Sequence, residues 1–201
     1  MRLRSGPAPK LPALPEPLDV FYVTDRAVAP TDTTKCEPVH VRDQVLRYGK
    51  ERAGEGRLSF GIYEVVVGEG LDIGSVPQGL KREVQCKDPP GKQKPRKPLH
   101  TARPSPMPEA EYYDALAAGV SASPRRELLL FVHGFNYTLA EAAERAGQLQ
   151  HDLDFTGPTV LYSWPSQESP RKYREDEDSL ENSTSTLAEV LEELQRRARP
   201  E

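Results

Sequence analysis

Glu127-Leu128-Leu129-Leu130-Phe131-Val132 is a nearly unbroken apolar run that stops abruptly at His133-Gly134-Phe135-Asn136. A strand with one wet face alternates apolar and polar residues; a run without alternation needs cover on both faces, as a parallel strand has between helices. The residues after it read as the first part of that cover. Thr138 and Glu141 have capping-box spacing, and Leu139, Ala142, Ala143, Ala146 and Leu149 mark one face of a helix, with Glu141 and Arg145 as an i,i+4 pair on its wet side. Asp154 to Pro158 turns the chain, and Thr159-Val160-Leu161-Tyr162-Ser163-Trp164 forms a second short strand stopped by Pro165. From about Asp176 a helix runs to Arg197. Its Leu180, Leu187, Val190, Leu191 and Leu194 keep helical spacing, while Glu192/Arg196 and Glu193/Arg197 face water. Strand, helix, strand, helix is a βαβα unit, so the fold class is α/β, with crossovers that are right-handed in nearly all such units.

The first half of the chain has a different texture. Hydrophobic residues make up only 36% of the sequence against 29% charged, with 20 prolines, so the packed core is smaller than 201 residues would allow. Residues 1–17 are Pro-rich without hydrophobic period and read as a mobile arm. Residues 18–86 hold the N-terminal strands of a mixed sheet: Leu18 to Thr24, the longer run Leu58 to Val67, and a weaker Leu80 to Cys86, with the charged, Gly-containing stretch Arg47 to Arg57 between the first two. Residues 87–108, dense in proline, lysine and arginine, read as a solvated linker because no aromatics are interleaved for base stacking. Residues 109–201 carry a short helix from Glu109 to Val120, with Tyr112, Tyr113, Leu116 and Ala117 near one face, and then the βαβα unit.

Charge and composition narrow the function classes. A net charge of −4 gives no general pull toward nucleic acid or anionic membrane, and no stretch approaches the length of an apolar membrane span. The start of the chain leads into prolines rather than an apolar signal core, which implies a cytoplasmic protein. Cys36 and Cys86 lack zinc-site spacing and are too few for a disulfide framework. No metal site and no cofactor is implied.

His133-Gly134-Phe135-Asn136 is the segment with chemistry. It stands at the carboxyl end of a strand, where open α/β sheets place ligands. Glycine lets a backbone approach a substrate closely, and amides leading into a helix point outward without internal partners, so they can stabilise a developing oxyanion. Taken alone, the His-Gly dipeptide is a weak signal, and the plainer reading is that His133 caps the strand end and Gly134 merely permits the turn.

The sequence from Glu127 to Leu194 resembles the α/β-hydrolase superfamily, the apolar strand and His133-Gly134-Phe135 looking like that fold's third strand and oxyanion turn. Phe21-Tyr22-Val23-Thr24-Asp25-Arg26, Leu58-Ser59-Phe60-Gly61, His133-Gly134-Phe135-Asn136 and Ser163-Trp164-Pro165-Ser166, in that order, resemble a bacterial esterase/lipase-superfamily branch of unknown function. The resemblance implies that the Phe135 N–H is one oxyanion donor, that His133 shapes the turn rather than acting as general base, and that Asn136 and Trp164 lie near a pocket mouth.

The family pattern also requires a serine on a Gly-x-Ser-x-Gly elbow, then an acid, then a histidine. Residues 1–201 contain no Gly-x-Ser-x-Gly, and no spacing brings Ser163 or Ser166 to a base, so both serines read as structural and no catalytic nucleophile, acid or base is assigned. The fold is therefore expected to be an incomplete α/β-hydrolase fold: mixed N-terminal strands followed by a βαβα parallel unit, ending before the nucleophile strand. In the family's sheet order that strand would lie beside 127–132, leaving an open edge available for self-association. The functional expectation is ester hydrolysis only when a second half completes the site for a small-molecule ester, with inactivity alone. The alternative is a non-catalytic interaction module or one half of a split hydrolase.

Overall fold

The computed structural model describes residues 16–29, 47–54, 57–67, 102–167 and 169–200. Cys36, Cys86, His40, His100, the strand expected at Leu80 to Cys86, and most of the 1–17 arm and the 87–108 segment lie outside the described residues. A five-stranded sheet has the order β5-β4-β1-β7-β6, built from β1 (Leu18–Thr24), β4 (Ser59–Val65), β5 (Ala102–Pro106), β6 (Leu129–Val132) and β7 (Thr159–Ser163). β1, β7 and β6 run parallel, while β4 pairs antiparallel with the other side of β1 and β5 antiparallel with β4. A separate antiparallel pair, β2 (Arg26–Ala29) with β3 (Arg47–Arg52), leaves the end of β1. The mixed α/β sheet expected from the sequence is thus present.

The period of 2 along the central strands divides the core into two layers. Val20 and Tyr22 of β1, Tyr63 and Val65 of β4 and Leu161 of β7 pack with Leu139, Ala142, Ala143 and Ala146 of α2 (Leu139–Asp152). Phe21, Val23, Phe60, Val160 and Tyr162 point the other way, against α1 (Glu109–Ala122) and the C-terminal part of α3 (Tyr173–Glu193), whose last turn widens into a π-helical segment, Leu194–Ala198. Helices cover both faces, which is why Leu129 to Val132 needs no polar alternation. Among the described residues no helix is long and apolar enough to cross a membrane.

Local signals placed the helices well. The capping box at α2 forms as spaced: Thr138 Oγ1 accepts from the Glu141 N–H at 3.1 Å, and the Glu141 carboxylate accepts from the Thr138 N–H at 3.0 Å. α1 and α3 are joined at their far ends by Arg197, which donates to Glu109 at 2.9 Å and lies 4.1 Å over the Tyr113 ring. This replaces the expected pairing of Arg197 with Glu193 as the shorter contact, and Arg196 bonds Glu193 at i,i+3 rather than Glu192.

Three expectations change. The end of the segment read as linker, Ala102–Pro106, is a strand; its two prolines are tolerated because β5 is an edge among the described residues, paired there with β4 alone. Arg47–Arg52 is also a strand, with Lys50 and Glu51 exposed while Tyr48 is buried against Tyr22. The third concerns α3, where Leu180 and Leu191 are exposed and the inward face is Asp176, Ser183, Thr186 and Val190, continued by Leu194. Helical spacing of leucines misled here because the upper half of the inward face is polar and hydrogen-bonded.

Gly61 marks the tightest approach in the sheet. A Cβ built there would sit 2.5 Å from the Ser105 carbonyl and 2.6 Å from the Tyr22 ring. Neither backbone nor packed ring can retreat without breaking the β4–β5 pairing. Gly61→Ala is expected to destabilise the fold by roughly 1–3 kcal/mol, the usual range for overpacking; urea unfolding of the two proteins measures it.

Candidate functional site

Parallel pairing of β1, β7 and β6 brings their carboxyl ends to one end of the sheet, where Asp25-Arg26, Ser163-Trp164 and His133-Gly134 leave the strands together. Most of what gathers there is polar and buried: Thr24, Asp25, Arg26, Ser163, Ser166 and Asp176 are all 0% exposed. Such burial is costly unless most of the charges and dipoles are answered by partners; here Asp25 Oδ1 is the exception, buried without a hydrogen bond.

Arg26 turns its guanidinium inward under the turn. Nε donates to Ser163 Oγ at 3.0 Å, one terminal nitrogen donates to the Gly49 carbonyl at 3.1 Å, and the other to the Tyr137 carbonyl at 2.8 Å and toward His133 Nε2 at 3.4 Å. Planar, forked and always charged, the group joins β3, β7 and both ends of the 133–137 turn at once. Beside it, Asp25 accepts from Ser183 Oγ at 2.7 Å and from Arg52 Nε at 3.2 Å, and Arg52 donates in turn to Thr186 Oγ1 at 2.7 Å. The second network docks the polar half of α3.

His133 is buried between these elements, its ring stacked on Trp164 at 5.1 Å. Its Nδ1 donates to the Gly134 carbonyl at 2.7 Å, which leaves Nε2 as the acceptor for Ser163 Oγ–H at 3.0 Å. Burial and the Arg26 guanidinium push its pKa down to about 4, so the neutral ring is the resting form. A hydroxyl donating to an imidazole whose other nitrogen is fixed has the connectivity of a nucleophile and its base. Spacing alone gave no hint of it, since Ser163 lies 30 residues away from His133 in sequence and meets it only through the β6–β7 register. Accessibility argues against reaction: Ser163 is fully buried, and Arg26 already donates to the same oxygen.

The turn itself is held from several sides. Trp164 Nε1 donates to the His133 carbonyl at 2.9 Å, so Trp164, at 1% exposure, is a buried prop rather than a residue at a pocket mouth. Asn136 adopts φ 62°, a left-handed conformation that asparagine tolerates better than most residues. Its N–H donates to Ser166 Oγ at 2.8 Å and to Asp176 at 3.3 Å. Phe135 is half-buried between Trp164 and Tyr173, its ring centroid 4.5 Å from that of the exposed Tyr173. Gly134 is exposed, with open space where a Cβ would stand. His133, Gly134, Phe135, Asn136 and Trp164 are therefore brought together, with Gly134 and Phe135 on the outer side. Arg26, Ser163, Ser166 and Asp176 complete the cluster.

A mixed sheet clad by helices, with a glycine turn and a polar cluster at the carboxyl ends of its parallel strands, defines an α/β protein. Residues 109–201, rather less than half of the chain, match the family described as alpha/beta hydrolase of unknown function (DUF900), which supports an α/β-hydrolase superfamily relationship for that part. No curated protein and no solved structure matches the chain.

Two buried groups titrate in opposite senses. His133 has a folded pKa of about 4, below its unfolded value of 6.5, so the stability it contributes is lost as pH falls from about 6.5 toward 4. Glu144 on α2 is raised from 4.5 to about 7 by burial and by the Glu141 charge, so its contribution is lost as pH rises from about 4.5 to 7. Each is on the order of 3 kcal/mol, and they largely cancel. The expected outcome is that His133→Gln loses stability as pH rises from 4.5 to 7, whereas Glu144→Gln gains it over the same interval. Thermal melts across that range read the two slopes, and matching slopes in both variants would disprove the assignment.

Proposed function

We propose that the chain is the turn-bearing portion of an ester-hydrolysing α/β-hydrolase, completed by a parallel strand that carries the nucleophile and adds to the open edge of β6. The observation that carries this reading is the edge itself. Among the described residues β6 pairs only with β7. The Leu129 N–H goes to the Pro158 carbonyl, so by the period of 2 residues 129 and 131 turn toward β7 while Leu130 and Val132 present their N–H and C=O groups outward.

Handedness supports where the next strand goes. α2 covers one face between β6 and β7, and α3 leaves β7 on the opposite face. Two right-handed crossovers on opposite faces step in opposite lateral directions, so a parallel strand following α3 passes over β6 and lands on its free side. The sheet direction reverses there. In open α/β sheets ligands bind at such a reversal, which puts the substrate beside Gly134 and Phe135. The substrate class is a small carboxylic ester, its carbonyl oxygen received by the turn's outward amides; the half-buried Phe135 and exposed Tyr173 offer an apolar wall for its acyl or alcohol part.

The contact between Ser163 and His133 favours a second reading, an intrinsic nucleophile. Covalent labelling separates the two. The 201-residue chain is expected to give no adduct with a fluorophosphonate probe; labelling of Ser163, or of any serine, would overturn silence of the isolated chain. The open apolar edge is expected to self-associate, so light scattering behind size-exclusion chromatography should show mass rising with concentration. A dilute, stable monomer with a sharp melting transition would count against an edge awaiting a strand.

A further inference from the structure

Between His133 and Thr138 several backbone groups are held by side chains from neighbouring elements. The His133 carbonyl receives Trp164 Nε1, the Gly134 carbonyl receives His133 Nδ1, the Tyr137 carbonyl receives Arg26, and the Thr138 N–H goes to Glu141. The Asn136 and Tyr137 N–H groups converge on Ser166 Oγ, at 2.8 and 3.4 Å. The amides of Gly134 and Phe135 have no hydrogen-bond partner among the described residues.

Asp176 stands behind this pattern. Its carboxylate, fully buried in the first turn of α3, accepts from Ser166 Oγ at 2.9 Å, from the Asn136 N–H at 3.3 Å and from the Gln167 N–H at 2.5 Å. Because Ser166 spends its proton on Asp176, its lone pairs are directed to the 136 and 137 amides. One carboxylate therefore holds the turn after β6, the segment after β7 and the start of α3 as a unit. Charge-assisted bonds to a fully buried carboxylate are the strong class, and removing it strands three donors together.

We infer that Asp176, acting with Ser166, is a positioning residue of the candidate site: it draws the Asn136 and Tyr137 amides inward and so leaves the Gly134 and Phe135 amides as the turn's open donors for an acyl oxygen. The chemical meaning of those donors rests on the hydrolase reading above; the role of Asp176 in ordering the turn is tested without it. The geometry assigns Asp176 no contact with substrate. It acts by consuming the wrong donors.

The test is amide hydrogen exchange by nuclear magnetic resonance on the full 201-residue chain, comparing wild type with Asp176→Ala and with the near-isosteric Asp176→Asn. Exchange at Asn136 and Gln167 is expected to quicken about tenfold or more in both variants, the size expected for loss of a charge-assisted bond. Val160 and Leu161 in β7 should stay protected. Formate, small enough to enter the space left in Asp176→Ala, should slow Asn136 and Gln167 again, and chloride at equal ionic strength should not. Exchange rising equally at Val160 and Leu161 would reduce Asp176 to a general stability residue and overturn the inference, as would unchanged Asn136 exchange in Asp176→Asn or a formate effect that chloride reproduces. None of these outcomes depends on whether a serine reacts with fluorophosphonate, so failure of this inference and failure of the hydrolase reading are distinguishable.

Discussion

A fully buried guanidinium is the constraint around which this end of the molecule is built. Arginine stays charged at any accessible pH, so a site that encloses it must supply acceptors from several directions or not form. Arg26 finds them on Gly49, Tyr137 and Ser163, three points far apart in sequence. The β2–β3 pair, the turn after β6 and the end of β7 are thereby fixed relative to one another. Burial, reinforced by the same positive charge, keeps His133 neutral, and a neutral ring is what lets its Nε2 accept from Ser163. Folding and the ionisation state of the candidate site are in this sense one equilibrium.

The networks at the carboxyl ends of the strands differ from the two apolar layers in what they contribute. Apolar packing around Tyr112, Val160, Leu161 and Ala142 is non-directional and supplies most of the driving force. The polar contacts of Asp25, Arg26, Ser166 and Asp176 are directional, and an incomplete set leaves buried groups without partners. They decide which arrangement of the loops survives among the many that would bury similar area.

Much of the architecture could be read from local pattern. The unbroken run before His133, the capping box at Thr138 and the short apolar strand before Pro165 each rest on neighbours a few residues apart, and each reappears where its pattern put it. The turn residues were legible for the same reason. What escaped reading depends on distant pairing. Ser163 meets His133 through strand register, Arg26 reaches across more than a hundred residues to Tyr137, and Ala102–Pro106 is a strand only because β4 offers an edge. Leu180 and Leu191 show the converse error, since an apolar stripe at helical spacing says nothing of a polar face that finds its partners elsewhere.

The polar inward face of α3 carries a further consequence. An apolar helix face can slide by a turn along its groove and still bury similar area, but Asp176, Ser183 and Thr186 each have one matching partner set on the elements beneath. Shifting α3 by about 5.4 Å, one helical turn, would set a carboxylate against carbon and forfeit every one of those bonds. The helix is therefore keyed rather than merely greased into place. A peptide bearing the same leucines without Asp176, Ser183 and Thr186 would adhere to this groove in several registers, and only the keyed sequence would hold the turn after β6 in a single shape.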